Sequence, residues 1–210
     1  KTLSAYAYDT EWVKFSWELA QDSIFNFESL LGGLLGERLG RRANTELTVG
    51  DGTDDPNGIV TASTLGKTAA ATAAITWDEI IDLEHSVDPA YRVSPKARYM
   101  FNDTTLSAVR KLKDGDGKYI WTAGDVQGGV PGTILGRPYI ILNELPNLAT
   151  GNEPIYIGDF SGYRIVDRVS MSVLVNPFIQ ATNGITRFHA TRRVGGRVIQ
   201  PAKFRKLKMA

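Results

Sequence analysis

The residues predict a soluble chain of mixed helix and strand. Three observations carry this reading. Phe25, Phe27, Leu30, Leu31, Leu34, Leu35 and Leu39 follow the spacing of one long helix. Residues 106–121 (LSAVRKLKDGDGKYIW), 135–146 (LGRPYIILNELP) and 155–168 (IYIGDFSGYRIVDR) alternate a short basic amphipathic helix, a turn and apolar strands. None of these segments presents a catalytic group.

Taken in order, residues 2–15 read as strand, anchored by Leu3, Tyr6, Tyr8, Trp12, Val13 and Phe15, and lead into the polar stretch 18–22. Asp22 or Ser23 caps the following helix, because a side-chain oxygen there reaches the free amides of the first turn. That helix is expected over about 23–47 and would span roughly 35–40 Å at 1.5 Å per residue. Glu28, Glu37, Arg38, Arg41 and Arg42 occupy much of its remaining surface. Gly32, Gly33, Gly36 and Gly40 interrupt it, each costing about 1 kcal/mol against Ala. They are explained either by another backbone packed closely on that face or by a broken or bent helix.

Residues 49–59 (VGDGTDDPNGI) form tight turns at Gly50, Gly52, Pro56 and Gly58. Residues 61–74 are small and polar, a loop or the approach to a strand. Thr76 and Glu79 make a capping box for a short helix to about Ser86, with Trp77, Ile80 and Ile81 apolar. The latter half of 91–101 is a strand. Asn102 or Asp103 caps a helix whose Leu106, Val109 and Leu112 point inward and whose Arg110, Lys111 and Lys113 oppose the dipole at its end. The run 114–117 (DGDG) turns the chain. Strands are expected at 119–122, 139–142, 155–158, 163–167, 169–175 and 185–193. The tail, 197–208, reads as a last strand with Pro201 near its centre.

Bulk properties exclude several function classes. A chain of 210 residues allows one or two domains and a sizeable core. A net charge of +1 gives no global pull toward nucleic acid or membrane. No segment approaches the ~20 apolar residues needed to span a bilayer, so no membrane partner is expected. With no cysteine there are no disulfides and no thiolate chemistry, and a cytosolic origin fits easily. The chain opens on Lys-Thr-Leu, directly in strand-like sequence, so a further upstream region is expected.

Motifs that imitate chemistry fail on spacing. Leu65-Gly66-Lys67-Thr68 resembles the end of a phosphate-binding loop, but the position needing the first glycine is Thr61. Asp114, Asp116 and Lys118, or Asp51, Asp54 and Asp55, resemble the start of a calcium loop. The twelfth positions are Asp125 and Ala62, not the required Glu. His85 and His189 lack a spaced second ligand. No G-x-S-x-G occurs, and Asp78-Glu79 and Asp54-Asp55 do not face one another on a helix. No catalytic, cofactor-binding or metal residue is expected, nor any enzymatic activity. Arg187, Arg192, Arg193, Arg197, Lys203, Arg205, Lys206 and Lys208 make the end of the chain basic. Ion pairs with acids elsewhere are favoured over phosphate contact, because the net charge is near zero.

The ordered segments resemble the major capsid proteins of tailed phages, the Hong Kong 97-type fold. Ser16, Glu18, Leu19 and Asp22 resemble the stretch before that family's spine helix. Gly50-Asp51-Gly52-Thr53 with Pro56-Asn57-Gly58-Ile59 resembles the turn that ends it. Leu112-Lys113-Asp114 with Gly117, Tyr119 and Trp121, Leu135-Gly136-Arg137-Pro138, and Gly158-Asp159-Phe160 resemble axial-domain segments. Arg192-Arg193, Gly196-Arg197-Val198, Pro201-Ala202, Phe204 and Leu207 resemble the family's ending. The resemblance implies an α+β fold. A long spine helix would stand with peripheral-domain strands, beside an axial domain of mixed sheet flanked by helices. It implies a peripheral domain from 1–60 and 176–198 and an axial domain from 61–175 and 199–210. Loops 128–132 and 145–152 would lie toward a capsomer axis.

The function so implied is structural. Copies would self-assemble into hexamers and pentamers of an icosahedral phage or prophage capsid enclosing double-stranded DNA. An encapsulin-like compartment shell is the alternative. Partners would be other copies of the chain, a scaffold, a maturation protease and a portal, with packaged DNA touched only non-specifically. The location would be the virion, and the host cytoplasm before assembly. The family's N-terminal arm, extended loop and scaffolding region are not in this sequence.

Overall fold

A computed structural model describes residues 3–22, 27–120 and 132–210. The elements in chain order are β1 (Tyr6–Asp9), β2 (Val13–Ser16), α1 (Trp17–Asp22), α2 (Phe27–Val49), α3 (Ile59–Ala62), β3 (Thr64–Thr68), α4 (Trp77–His85) and α5 (Pro89–Arg92). There follow β4 (Ala97–Phe101), α6 (Asp103–Arg110), β5 (Thr133–Ile134), β6 (Arg137–Ile141), β7 (Ile155–Asp159), β8 (Tyr163–Gln180), β9 (Ile185–Val198) and β10 (Phe204–Lys208). They form two compact units, one within 1–57 and 165–197, the other within 58–164 and 198–210. The sequence-based boundaries were 60/61, 175/176 and 198/199, and the chain crosses between units at 57/58, 164/165 and 197/198.

In the first unit, β9 organises a four-stranded sheet. β1 and β2 pair antiparallel with successive stretches of it, Tyr6 facing Val194 and Val13 facing Phe188, and β8 pairs with β9 as well. Thr10 bridges the gap between β1 and β2. Its N–H donates to the Ala190 carbonyl at 2.9 Å, and its hydroxyl accepts from the Ala190 N–H at 3.0 Å. The expected strand over 2–15 is therefore interrupted rather than continuous, and the polar stretch 18–22 is helix α1. The expected caps and anchors at Ser23 and Phe25 lie outside the described residues.

At 1.5 Å per residue, α2 is roughly 35 Å long. It buries one narrow stripe. Leu31, Leu35, Leu39 and Ala43, at four-residue intervals, face inward, and the three leucines pack with Phe15, Phe188 and Ala190. Leu30 and Leu34, which follow the same helical spacing, are more than half exposed. No described backbone packs on the helix glycines. A Cβ at Gly32, Gly33 or Gly40 would meet nothing within 4 Å, and one at Gly36 would meet only the Met171 side chain, at 3.5 Å. Neither is there a break, since α2 is continuous over Phe27–Val49.

The turn after α2 folds back on it. The Gly50 N–H donates to the Glu46 carbonyl at 2.9 Å, Asp51 bridges to Asn57, and the Asn57 N–H donates to the Gly196 carbonyl at 3.0 Å. A Cβ at Gly50 would collide with the Pro56 and Glu46 carbonyl oxygens, so glycine is required by close approach.

The second unit is built on a six-stranded sheet in the order β3-β10-β7-β4-β6-β5. Pairing is mixed: β10 is parallel to β3 and antiparallel to β7, while β4 is antiparallel to β7 and parallel to β6. Both faces are covered, which explains why β7 reads as a near-continuous apolar run. One face sets Tyr99, Phe101, Ile155, Ile157 and Leu207 against Ile80, Leu83, Leu106 and Val109 of α4 and α6. The other sets Met100, Tyr156 and Phe204 against Ile59, Leu145 and Val198.

The caps of α4 and α6 are as the sequence predicts. Thr76 and Glu79 form a reciprocal capping box on α4, and the Asn102 side chain accepts from the Thr105 N–H on α6. Four readings are corrected. Residues 64–68 are strand β3, not loop. Residues 163–180 form one strand, where two were expected, and β9 runs on to Val198. The tail is broken by a tight turn at Pro201–Lys203, so its first two residues end β9 and strand resumes only at Phe204–Lys208, because proline cannot donate to a ladder. Tyr119 makes only an isolated bridge to Lys113 in place of a strand. Residues 121 and 122 of that expected strand, and 128–131 of the first expected axial loop, lie outside the described residues.

Two buried polar networks pin the second unit. Glu84 of α4 accepts from the Tyr99 hydroxyl at 3.0 Å and from Arg137 Nε at 2.9 Å, joining helix to β4 and β6. Asp159 accepts from the Ser161 N–H at 2.9 Å, the Ser161 hydroxyl at 2.7 Å and Lys203 Nζ at 3.0 Å. Burial alone pushes the Asp159 carboxyl up, but these bonds outweigh it and hold it below the usual carboxylate range. A depressed carboxylate stabilises the fold above its unfolded pKa, and that contribution is lost as pH falls through the folded value.

Asp159→Asn is therefore expected to cost about 1–3 kcal/mol near neutral pH, shrinking toward acid, in urea titrations at several pH values. A cost independent of pH contradicts the charged network. Gly50→Ala is expected to destabilise by about 2 kcal/mol in the same assay, because two backbone carbonyls cannot retreat from the added methyl.

Candidate assembly surfaces

The residues that imitate chemical motifs are held in structural contacts. Lys67 lies on β3 and pairs with Asp82 at 2.6 Å. Gly66 beside it is closely approached by the Ser86, Arg205 and Leu83 side chains. The Asp114 carboxylate accepts from the Asp116 and Lys118 N–H groups at 3.0 and 2.9 Å, which closes a turn. Asp51 accepts from the Thr53 N–H at 2.7 Å in the same manner. Arg92 donates to His85 Nδ1 at 2.8 Å, and His189 stacks on Trp12 with ring centroids 4.8 Å apart. Among the described residues no group of three His, Cys, Asp or Glu is placed to hold a metal ion.

The basic run near the end of the chain is divided between the units. Within the first, Arg192 pairs with Asp167 at 2.7 Å and Arg187 donates to the Gln180 side chain at 3.1 Å. Within the second, Lys203 pairs with Asp159 at 3.0 Å, Lys206 with Glu153 at 2.9 Å, and Arg205 donates to the Ser86 carbonyl at 3.1 Å and to the Thr64 hydroxyl. These partners neutralise or occupy much of the run, as the ion-pair reading expects.

Exposed apolar surface is concentrated in the first unit. β8 is 18 residues long and carries Ile165, Val169, Met171, Val173, Leu174, Val175, Phe178 and Ile179 in exposed positions, Phe178 at 83%. Leu30 and Leu34 expose an apolar flank of α2, and Trp12, Trp17 and Leu19 are also exposed. Single exposed apolar residues are ordinary, but a run of them along one strand makes a candidate interaction surface. A polar cleft of about 470 Å³ between β1 and α2 is lined by Tyr8, Asp9, Glu11, Arg38 and Arg42. It presents no nucleophile set against a base. Sequence reading missed the β8 surface. The signal was present as an apolar run without clean alternation, but it was read as two ordinary strands.

Comparison with known proteins gives a family and a fold. The sequence profile of the phage capsid family matches residues 2–209. No curated protein matches the chain. Among solved structures, the capsid of a native GTA particle aligns with TM-score 0.88 at 30% identity, covering 100% of this chain and 74% of that one. The capsid of Myoviridae phage XM1 aligns with TM-score 0.71 at 14% identity, covering 99% and 74%. The SrpI encapsulin of Synechococcus elongatus PCC 7942 aligns with TM-score 0.73 at 14% identity, covering 97% and 73%. The last two share the fold alone, and the fold is the α+β, Hong Kong 97-type architecture. With its profile matched almost from end to end, the chain belongs to the phage capsid family.

Proposed function

We propose that the chain is a structural subunit of a closed capsid, and that its chemistry is self-association. The observation that carries this reading is the exposed apolar length of β8, beside motif residues such as Lys67, Asp51 and Asp114 that are held in structural contacts. Copies assemble into hexamers and pentamers of an icosahedral shell that encloses double-stranded DNA. The first compact unit serves as the peripheral domain, with α2 as its spine, and the second as the axial domain. The loop at 145–152 lies toward the capsomer axis. A scaffold, a maturation protease and a portal act with the subunit in the host cytoplasm, and the finished protein resides in the virion capsid.

Several physical points support the reading. Stable interfaces between permanently associated copies bury on the order of 2,000–5,000 Å² and resemble a core cut in half. β8 with Leu30 and Leu34 has that apolar character. The open space over Gly32, Gly33 and Gly40 allows a neighbouring backbone to approach α2 within van der Waals contact. DNA is contacted without sequence preference, since several basic residues near the end of the chain are held by partners within their own units and the rest would meet only phosphate. The greater identity to a GTA capsid than to an encapsulin, 30% against 14%, favours a particle over an enzyme compartment.

Negative-stain microscopy of the gene's full product, beside mass photometry of this 210-residue chain, tests the proposal. Closed shells are expected from the first, carrying DNA rather than a copurifying enzyme. A product that stays monomeric with its scaffold supplied removes the function. Leu174→Asp with Phe178→Asp is expected to change unfolding free energy by less than about 0.5 kcal/mol, since both are exposed, and to abolish shells. Gly33→Leu is expected to leave the isolated chain at least as stable while lowering shell yield. An unchanged yield takes that helix face out of the contact.

A further inference from the structure

Successive side chains of a strand point to opposite faces, so β8 carries two different surfaces. Ile165, Val169, Met171, Val173 and Val175 fall on one face, interrupted only by Asp167. Arg168, Ser170 and Ser172 fall on the other. Met171 stands at the middle of the apolar row, and its contact shows which way the row faces. The Met171 sulfur lies 3.5 Å from the place a Cβ would take on Gly36, so it rests on bare backbone of α2. A Cβ on Gly32, Gly33 or Gly40 would meet nothing within 4 Å, so the helix leaves open space around this contact.

The chain has three methionines and no cysteine. Met100 and Met209 belong to the core of the second unit and are 1% and 0% exposed, whereas Met171 is 41% exposed. A peroxide has to reach a thioether sulfur to oxidise it, so it finds one accessible sulfur here, and no thiol competes for it. In that step a sulfur lone pair forms the new S–O bond and the peroxide O–O bond breaks. The peroxide takes two electrons from sulfur and leaves as water. The sulfoxide so formed is polar and chiral. In the free chain its oxygen meets solvent and the open space beside Gly36, so the fold loses little. Under a docked neighbour the same oxygen would be buried among valines without a donor, which is unfavourable.

We propose that Met171 is a peroxide-responsive modification site, whose oxidation to the sulfoxide withdraws a free subunit from assembly and whose burial in a finished shell protects it. The effect on assembly rests on β8 being an assembly surface, as proposed above. The site then acts as a one-way filter. A subunit oxidised before docking is refused, and a docked subunit has no exposed sulfur left to oxidise. Refusal is reversible, because methionine sulfoxide reductases with a thiol reductant return the thioether.

Hydrogen peroxide given to the isolated chain, followed by peptide mass spectrometry, tests the site without reference to shells. The peptide holding Met171 is expected to gain one oxygen at least about tenfold faster than those holding Met100 and Met209, because accessibility sets the rate. Equal rates overturn the proposal. The gene's full product tests the consequence. Peroxide is expected to weaken association of its subunits about tenfold, through one polar atom buried without a partner, and so to lower shell yield. Methionine sulfoxide reductases for both epimers, with dithiothreitol, are expected to restore the yield. Met171→Leu, compared with its own untreated sample, is expected to lose no yield on peroxide. Selective oxidation with an unchanged yield overturns the proposal, as does an equal loss in Met171→Leu. In closed shells the Met171 peptide is expected to oxidise as slowly as that of Met100, and fast oxidation there overturns the protection. An untreated product that forms no shells is the failure of the proposed function, and the peptide rates of the isolated chain tell the two failures apart.

Discussion

Both sheets are organised by strands from the last part of the chain. β9 is the one strand of the first sheet that pairs with β1, β2 and β8 alike, and β10 sits between β3 and β7 in the second. Tyr6 must find Val194, and Thr64 must find Arg205, before either core exists. Such closures cost chain entropy before they release any apolar surface from water, which makes folding slow relative to a helical bundle. Everything else hangs on them. The stripe of α2 has Phe188 and Ala190 of β9 to pack on, and α4 and α6 pack on a sheet face that includes Leu207 of β10.

The two units differ in how completely they satisfy themselves. The second covers its sheet on both faces and ties its buried acids, Glu84 and Asp159, into several bonds each. The first has one small apolar cluster under α2 and leaves most of β8 facing water. A self-contained unit joined to an unfinished one is the arrangement expected of a part whose remaining burial is supplied by other copies.

What the sequence revealed followed from the range of the interactions. The box at Thr76 and Glu79 and the cap at Asn102 were legible because their partners lie three residues away. The existence of α2 was legible from spacing, but its buried face was not. Leu30/Leu34 and Leu31/Leu35 fit the same period, and only the position of Phe15 and Phe188 selects the second pair. β3 was hidden because Thr64–Thr68 is small and polar, and its place is fixed by β10, far along the chain. Pro201 was legible as an oddity in a strand, and the structure resolves it as a turn. The family resemblance drew on the order of weak segments, information that no single segment holds.

The exposed length of β8 also bears on handling. A molecule whose partner is another copy of itself has a melting temperature that rises with concentration, because each docked neighbour acts as a ligand for the folded form. The same strand pairs with β9 and with no other described strand, so it offers a template for disordered aggregation as readily as for ordered growth. On the proposed interface, colloidal behaviour and shell formation are governed by the same side chains. Any screen that rewards a clear, concentrated monomer solution will enrich variants that have lost the ability to build.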